Sequence, residues 1–456
     1  MELRSKLISA GMALPVVCCL LITISTKPCS AEKLTIRKCV ETALESSPMM
    51  AIAGENVRKA DALVEEAFVP ARPNLRIDTN YQRLDQAPVV DFGGSSIPVG
   101  SLFSRTADIT FQQEFDVFGI IKVGKKAAKY GKKGYEHIYS QQVNDTTLET
   151  KTAYYNVLRS QEYLDVQRDM IAQMEAHVKD AETNYKAGTI PKFEVLRAET
   201  QLANGRQGLI AAENGVELAK SAFNNTLGRS LETRVELAEP EKLKIIELAL
   251  VSCVDSACNY RPEVLRADAQ VKYAEAIEKA TRLRSKPRFV LKWDYNQNLD
   301  TNAFNTRSNS WKAYLNSTLS LYDGGATRAA VKKAEIDTRN ARSMKEQAMR
   351  AAMLDAQQSY LSLNEAKERI SACEKALDEA NESMRLANLR YKGGISTQVE
   401  VLDAQTALSL ARMNHVTALY DYQVAQARLE HSVGGEVQMA RLLEHSNSQI
   451  AEKVTK

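Results

Sequence analysis

Tyr185–Thr200 reads YKAGTIPKFEVLRAET, and Tyr391–Thr406 reads YKGGISTQVEVLDAQT. The two stretches lie 206 residues apart, and self-similarity at one offset decides the architecture before any local reading does. Upstream, Val157, Leu164, Ile171, Val178 and Tyr185 recur every seven residues, and Leu363, Ile370, Leu377, Met384 and Tyr391 repeat the series. Downstream, Ala198, Gly205, Ala212 and Ala219 correspond to Ala404, Ala411, Ala418 and Ala425. A sustained heptad of apolar residues packs helices as coiled coils, and small residues on the return seam let helix axes approach closely. Each copy therefore predicts a long helical hairpin. Gly188 and Gly394 fall just past the heptad runs, where a helix end favours a residue that tolerates a left-handed backbone. Pro191 is expected in the first turn of the following helix, and Thr397 is expected to cap its counterpart.

Working outward, Cys39–Pro48 (CVETALESSP) recurs as Cys253–Pro262 (CVDSACNYRP) at an offset of 214. Each precedes a helical pattern, 49–69 or 263–285, and then Pro73 or Pro287. Alternating segments follow, beginning at Leu75, Ile109, Phe289 and Leu315, and period-two alternation reads as strands with two unlike faces. Between them run Gly-, Pro- and Ser-rich loops of about 84–105 and 297–310, the first being the simplest home for eight extra residues in copy one. The predicted organisation is a signal peptide at 1–31 and a first repeat at 32–228, with strands about 74–83 and 106–116 and a tip at 185–192. A linker at 229–252 leads to a second repeat at 253–434, with strands about 288–297 and 311–322 and a tip at 391–397, and a polar tail at 435–456.

Arg4 and Lys6 precede an apolar run to about Ile24, and Cys29-Ser30-Ala31 offers small residues for cleavage, so the mature chain is expected to start at Glu32. An uncleaved anchor helix is the rival reading of that run. Without residues 1–31 the basic and acidic side chains nearly balance, against nucleic-acid binding, which needs a basic excess gathered on one face. Cys39, Cys253, Cys258 and Cys373 remain in an oxidising compartment; Cys253 and Cys258 are close in sequence but point apart on a helix. No metal or cofactor site is expected, because no CxxC or histidine ligand spacing occurs. Gly119-x4-Gly124-Lys125 resembles a phosphate loop, yet Lys126 stands where Ser or Thr is required. No nucleophile and base are set together, so no enzyme is expected.

Strands of nine to eleven residues have the length that crosses a bilayer when tilted, and strands in lipid must close into a barrel. Four strands close around nothing. Two chains would give eight strands with a side-chain-filled interior, whereas three give twelve and leave a channel. From Ile120 to Tyr185 the helical pattern spans 66 residues, or roughly 100 Å at 1.5 Å per residue, far beyond the thickness of a membrane. The helices must then project away from the bilayer as a tube. The competing class is a secreted coiled-coil scaffold whose strands form a cap without a pore.

The paired YKxG…EVLxAxT tips, Ala43–Pro48, Arg261–Glu263 and Leu321–Gly325 (LYDGG) together resemble the TolC-like outer-membrane efflux proteins over nearly all of the mature chain. That resemblance implies a mainly α fold with a membrane β part. In it, long antiparallel coiled-coil helices form a trimeric α-barrel beneath a 12-stranded trimeric transmembrane β-barrel. It implies a homotrimer in outer-membrane lipid, working with a periplasmic adaptor protein and an inner-membrane pump of RND or ABC type in efflux or type I secretion. Copy one departs from the pattern at Asp116–Gly119, where copy two has a double glycine. The family's periplasmic entrance is narrowed by acidic residues on the last return helix, and these match Glu400 and Asp403; copy one carries Glu194 and Arg197 instead. Acids in a helix's first turns also suit the positive dipole end. Tyr391 resembles the tyrosine that helps hold the entrance closed, although Ser396 stands where an arginine often completes that lock. The tips around Gly188 and Gly394 are the expected adaptor-docking surface.

Overall fold

The computed structural model describes residues 33–238, 244–300 and 308–444. The expected signal peptide, the end of the tail and parts of the linker and the second loop lie outside the described residues. The first half runs α1 (Ile36–Ser46), α2 (Pro48–Glu66), β1 (Asn74–Arg83), β2 (Val89–Phe92), β3 (Ser95–Pro98), β4 (Phe103–Phe115), α3 (Ile120–Lys186) and α4 (Lys192–Thr226). The second runs α5 (Leu250–Tyr260), α6 (Pro262–Leu283), β5 (Arg288–Asn298), β6 (Asn309–Thr318), α7 (Ala326–Lys392) and α8 (Gln398–Ser432). The duplication is visible residue for residue in the long helices. Both α3 and α7 have 67 residues, both α4 and α8 have 35, and each long helix starts at a left-handed glycine, Gly119 or Gly325. At these starts an aspartate supplies the missing partners of the first turn. Asp116 accepts from the Ile121 and Lys122 amides, and Asp323 accepts from those of Gly325 and Thr327.

The four long strands form one antiparallel sheet in the order β1-β4-β5-β6. Five expectations need correction. β4 starts at Phe103, not 106, because β1 stays paired as far as Arg83 opposite Phe103. β6 ends at Thr318, not 322: its last partner is Arg288, and Pro287 before it has no N–H with which to continue the ladder. The first inter-strand segment contains a hairpin, with Val89–Phe92 paired to Ser95–Pro98 around Gly93 and Gly94, both at positive φ. The long helices also run one or two residues into the expected tips, and Pro191 is the N-cap of α4 rather than its first turn.

Over the described residues the chain is a strip four elements wide. Neighbours run β1-β4-β5-β6 at one end, α2-α3-α6-α7 below it and α4-α3-α8-α7 beyond. α1 and α5 lie against the middle of α3 and α7. The core is densest there, in two clusters that mirror one another. Cys39, Val157, Phe223 and Leu227 pack in the first; Cys253, Leu363, Leu429 and Val433 occupy the matching places in the second. Burying such side chains contributes roughly 1.5–3 kcal/mol each, which makes this belt the anchor of the strip. The four cysteines among the described residues are free, and those at 39 and 253 are fully buried within it. The linker is pinned to the same belt: Leu34 pairs with Leu237, and the Tyr154 hydroxyl donates to the Ala238 carbonyl at 2.9 Å.

Candidate functional site

Packing thins toward the hairpin tips. The first tip keeps a small buried cluster of Ala181, Val195 and Ala198. On α7, Leu377 and Met384 are only partly buried, and Leu386 and Leu389 are exposed. Fewer buried contacts place this end of the second hairpin at the low-stability end of the molecule. Both tips close in the same way. The amides of Gly188 and Thr189 donate to the carbonyls of Tyr185 and Asn184, and those of Gly394 and Ile395 donate to the carbonyls of Tyr391 and Arg390. This pair of bonds requires a left-handed residue after the helix, and Gly188 (φ 77°) and Gly394 (φ 71°) supply it. Thr397 is the N-cap of α8 by backbone, without a side-chain cap bond.

Glu400 and Asp403 stand one turn apart on an exposed face of α8. Asp378, Glu379 and Glu382 of α7 join them along a groove of about 900 Å³ that also takes in Arg390. Arg390 approaches Glu400 at 3.7 Å with both side chains about half exposed, so the pair contributes no more than ~1 kcal/mol. Arg385 pairs with Glu382 at 2.6 Å and holds that carboxyl below its ordinary range. The α7 acids escape a motif reading. Their signal is the spacing in Asp378-Glu379-Ala-Asn-Glu382, which sets 378 and 382 on one face of a helix.

Tyr391 is not part of this groove. Its ring lies 6.0 Å from that of His177 on α3, tilted by 58°. His177 also meets α8: the buried Gln398 side-chain amide donates to His177 Nε2 at 2.8 Å and to the Glu194 main-chain carbonyl at 3.4 Å. Burial lowers the His177 pKa, opposed by the nearby Asp180 and Glu194 charges. The structure thus joins Tyr391, Gln398, His177 and Glu194 where the two hairpins touch. His177 and Gln398 carry no motif, which is why sequence reasoning passes them by. Further along, charged and polar side chains tie α8 to its neighbours. Lys151 meets Glu430 and His431 meets Asp145, each at 2.7 Å, and Asp421 lies between Arg159 (3.5 Å) and Arg369 (3.0 Å).

At the opposite end, the sheet register sorts side chains by polarity. Leu75, Phe111, Trp293 and Ala313 form one cross-strand row, and Ile77, Ile109, Tyr295 and Trp311 form another on the same face. The other face carries Asp78, Asp108 and Asn296 in one row and Arg76, Thr110, Asp294 and Lys312 in the next. Tyr81 and Phe103 bound the apolar face at one end, and Phe115 and Phe289 at the other.

The comparisons with known proteins agree with this architecture. The family model described as outer membrane efflux protein matches residues 39–229 and 253–435, one match for each half. Outer membrane protein TolC of Vibrio cholerae is 25% identical over 417 residues, covering 86% of this chain and 89% of that protein. The pyoverdine export outer membrane protein OpmQ of Pseudomonas aeruginosa is 23% identical, covering 87% and 82%. Among solved structures, the outer membrane protein VceC of Vibrio cholerae superposes with a TM-score of 0.75 at 18% identity over 88% of this chain and 96% of that one. CusC gives 0.77 at 17% identity over 88% and 92%. With both halves of the duplication matched and the long-helix and sheet architecture shared, the chain belongs to the outer membrane efflux protein family.

Proposed function

We propose that the protein is the channel-tunnel of a tripartite export system in the outer membrane of a Gram-negative bacterium. It gives substrates passive passage across the outer membrane and periplasm and does no chemistry of its own. The observation that carries this is the strip four elements wide with both edges open: β1, α2 and α4 on one side, β6 and α7 on the other. Open strand edges are not tolerated in lipid, so copies must pair edge to edge. Three copies make twelve strands over twelve helices at each level, the smallest closed assembly with room for water. Exposed apolar residues on the free edges, Met49 and Ile52 on α2 and Met344 and Leu354 on α7, would then be covered by neighbours. The apolar sheet face fits outer-membrane lipid and the charged face fits a wet lumen.

At the far end three-fold symmetry would gather Glu400 and Asp403 from each chain around one opening, a field that attracts cations and repels anions. The Gly188 and Gly394 tips are the surface offered to a periplasmic adaptor, through which an inner-membrane pump of RND or ABC type delivers cargo. Family membership supports this tripartite arrangement, and the loose packing of the second hairpin supports that hairpin as the moving part of the entrance. Fractionation with planar-bilayer recording tests the proposal. Heat-modifiable trimers in the outer membrane that conduct single-channel currents are expected, and a soluble periplasmic monomer would overturn it.

A further inference from the structure

The joint between the two hairpin tips contains a histidine, a side chain whose charge responds to pH. Gln398 is 5% exposed, and its amide nitrogen serves two acceptors, His177 Nε2 and the Glu194 carbonyl. Turned over, the amide would set its oxygen against that carbonyl oxygen, two acceptors face to face. The Glu194 carbonyl therefore fixes which end of the amide meets the imidazole, and His177 Nε2 must be unprotonated to accept. Around His177 stand Asp180 on its own helix, Glu194 from α4, Tyr391 from α7 and the Gln398 amide from α8. Glu194 Oε2 is buried there with no hydrogen-bond partner among the described residues.

We propose that His177 and Gln398 form a pH-sensitive latch holding the second hairpin to the first, and that protonation of His177 releases it in acid medium. A proton on Nε2 removes the acceptor on which Gln398 depends and sets N–H against N–H. The imidazolium then has a counter-charge in the Glu194 carboxylate, on the first hairpin, so His177 turns toward α4 and away from α8. The sign follows from burial, which disfavours the charged ring in the latched state. A histidine with a lowered pKa stabilises its state above the ordinary value of about 6.5 and loses that contribution as pH falls below it. Each unit separating the latched from the released pKa multiplies the open-to-closed ratio by about ten at acid pH. Toward the equator the seam is tied by ion pairs such as Lys151–Glu430 and by His431 on Asp145, so release at the tip parts the tips without dismantling the strip.

The idea rests on the channel reading, and two measurements separate them. Single-channel recordings are made on the full-length wild-type protein, His177→Gln and His177→Lys, with the tip side moved from about pH 7.5 to about pH 5. In parallel, spin labels at Thr189→Cys and Ile395→Cys report the distance between tips, with Cys258 and Cys373 replaced by Ser. The expected result is a several-fold rise in wild-type open probability and a widened tip distance at acid pH. His177→Gln should show neither, and His177→Lys should be released at both pH values. An unresponsive wild type, or the same response in His177→Gln, overturns the latch. Tips that separate with acid in a protein that passes no current would uphold the latch and remove the channel.

Discussion

Ala313→Lys puts a charge in the middle of the apolar sheet face and separates a membrane barrel from a soluble cap. Ala313 is the fifth of ten residues in β6 and stands opposite Trp293, in the row that continues through Phe111 to Leu75. Its neighbour Lys312 already carries a charge, but on the other face, where Asp294 lies 3.5 Å away. A lysine facing lipid at the bilayer midplane costs ~2–4 kcal/mol per chain, or roughly 6–12 kcal/mol for three chains. At about 1.4 kcal/mol per tenfold, even one chain's share lowers the folded population by more than tenfold. On a soluble cap the same exposed position would accept lysine within about 0.5 kcal/mol. The control is Asn316→Lys, on the polar face opposite Val290. The assay is the yield of heat-modifiable trimer in the outer-membrane fraction. Ala313→Lys should lose most of it, and Asn316→Lys should keep it. Equal, wild-type yields from both variants would refute the assignment of the apolar face to lipid.

Asp403→Ala and Glu400→Ala should each weaken cation selectivity and divalent block in bilayer recordings; unchanged block would remove these carboxylates from the entrance. Gly394→Val should impair efflux while trimers persist. No atom lies within 4 Å of the added Cβ, so the cost is the left-handed backbone alone, about 1–2 kcal/mol, read as tip protease sensitivity. Intact efflux and an unchanged cleavage pattern would refute that. Lys151→Met strips the partner from Glu430, a loss of about 3–5 kcal/mol at neutral pH because a buried charge is left alone. Burial already holds the Glu430 pKa above its ordinary value. A raised carboxyl favours the folded state below the ordinary pKa and loses that contribution as pH rises. The variant should therefore unfold more readily in urea at pH 8 than at pH 5, and the reverse order would contradict the assignment.

Much of the fold can be read from the chain because its helices obey one repeat. The heptads through Val157 and Leu363 and the glycines at 188 and 394 set helix length and hairpin tips, since a seam must stay in register over its whole length. Strand ends are less legible, because a ladder stops where its partner does. Nothing in Leu319–Tyr322 announces that Pro287, just before the partner strand β5, cannot pair with it. The β2–β3 hairpin hides in a Gly- and Pro-rich stretch whose composition suits a loop equally well. On α8, Glu400 and Asp403 stand out through the likeness of their segment to a known tip. The α7 acids that join them and the His177–Gln398 contact depend on which helices become neighbours, and no local pattern in either segment encodes that.

Cryo-electron microscopy of the membrane-extracted protein tests the central claim most directly. The expected map shows three chains, with the β1 edge of each paired to the β6 edge of the next in a closed wall of twelve strands above twelve helices. A particle of one or two chains, or a trimer in which those strand edges remain unpaired, would contradict it.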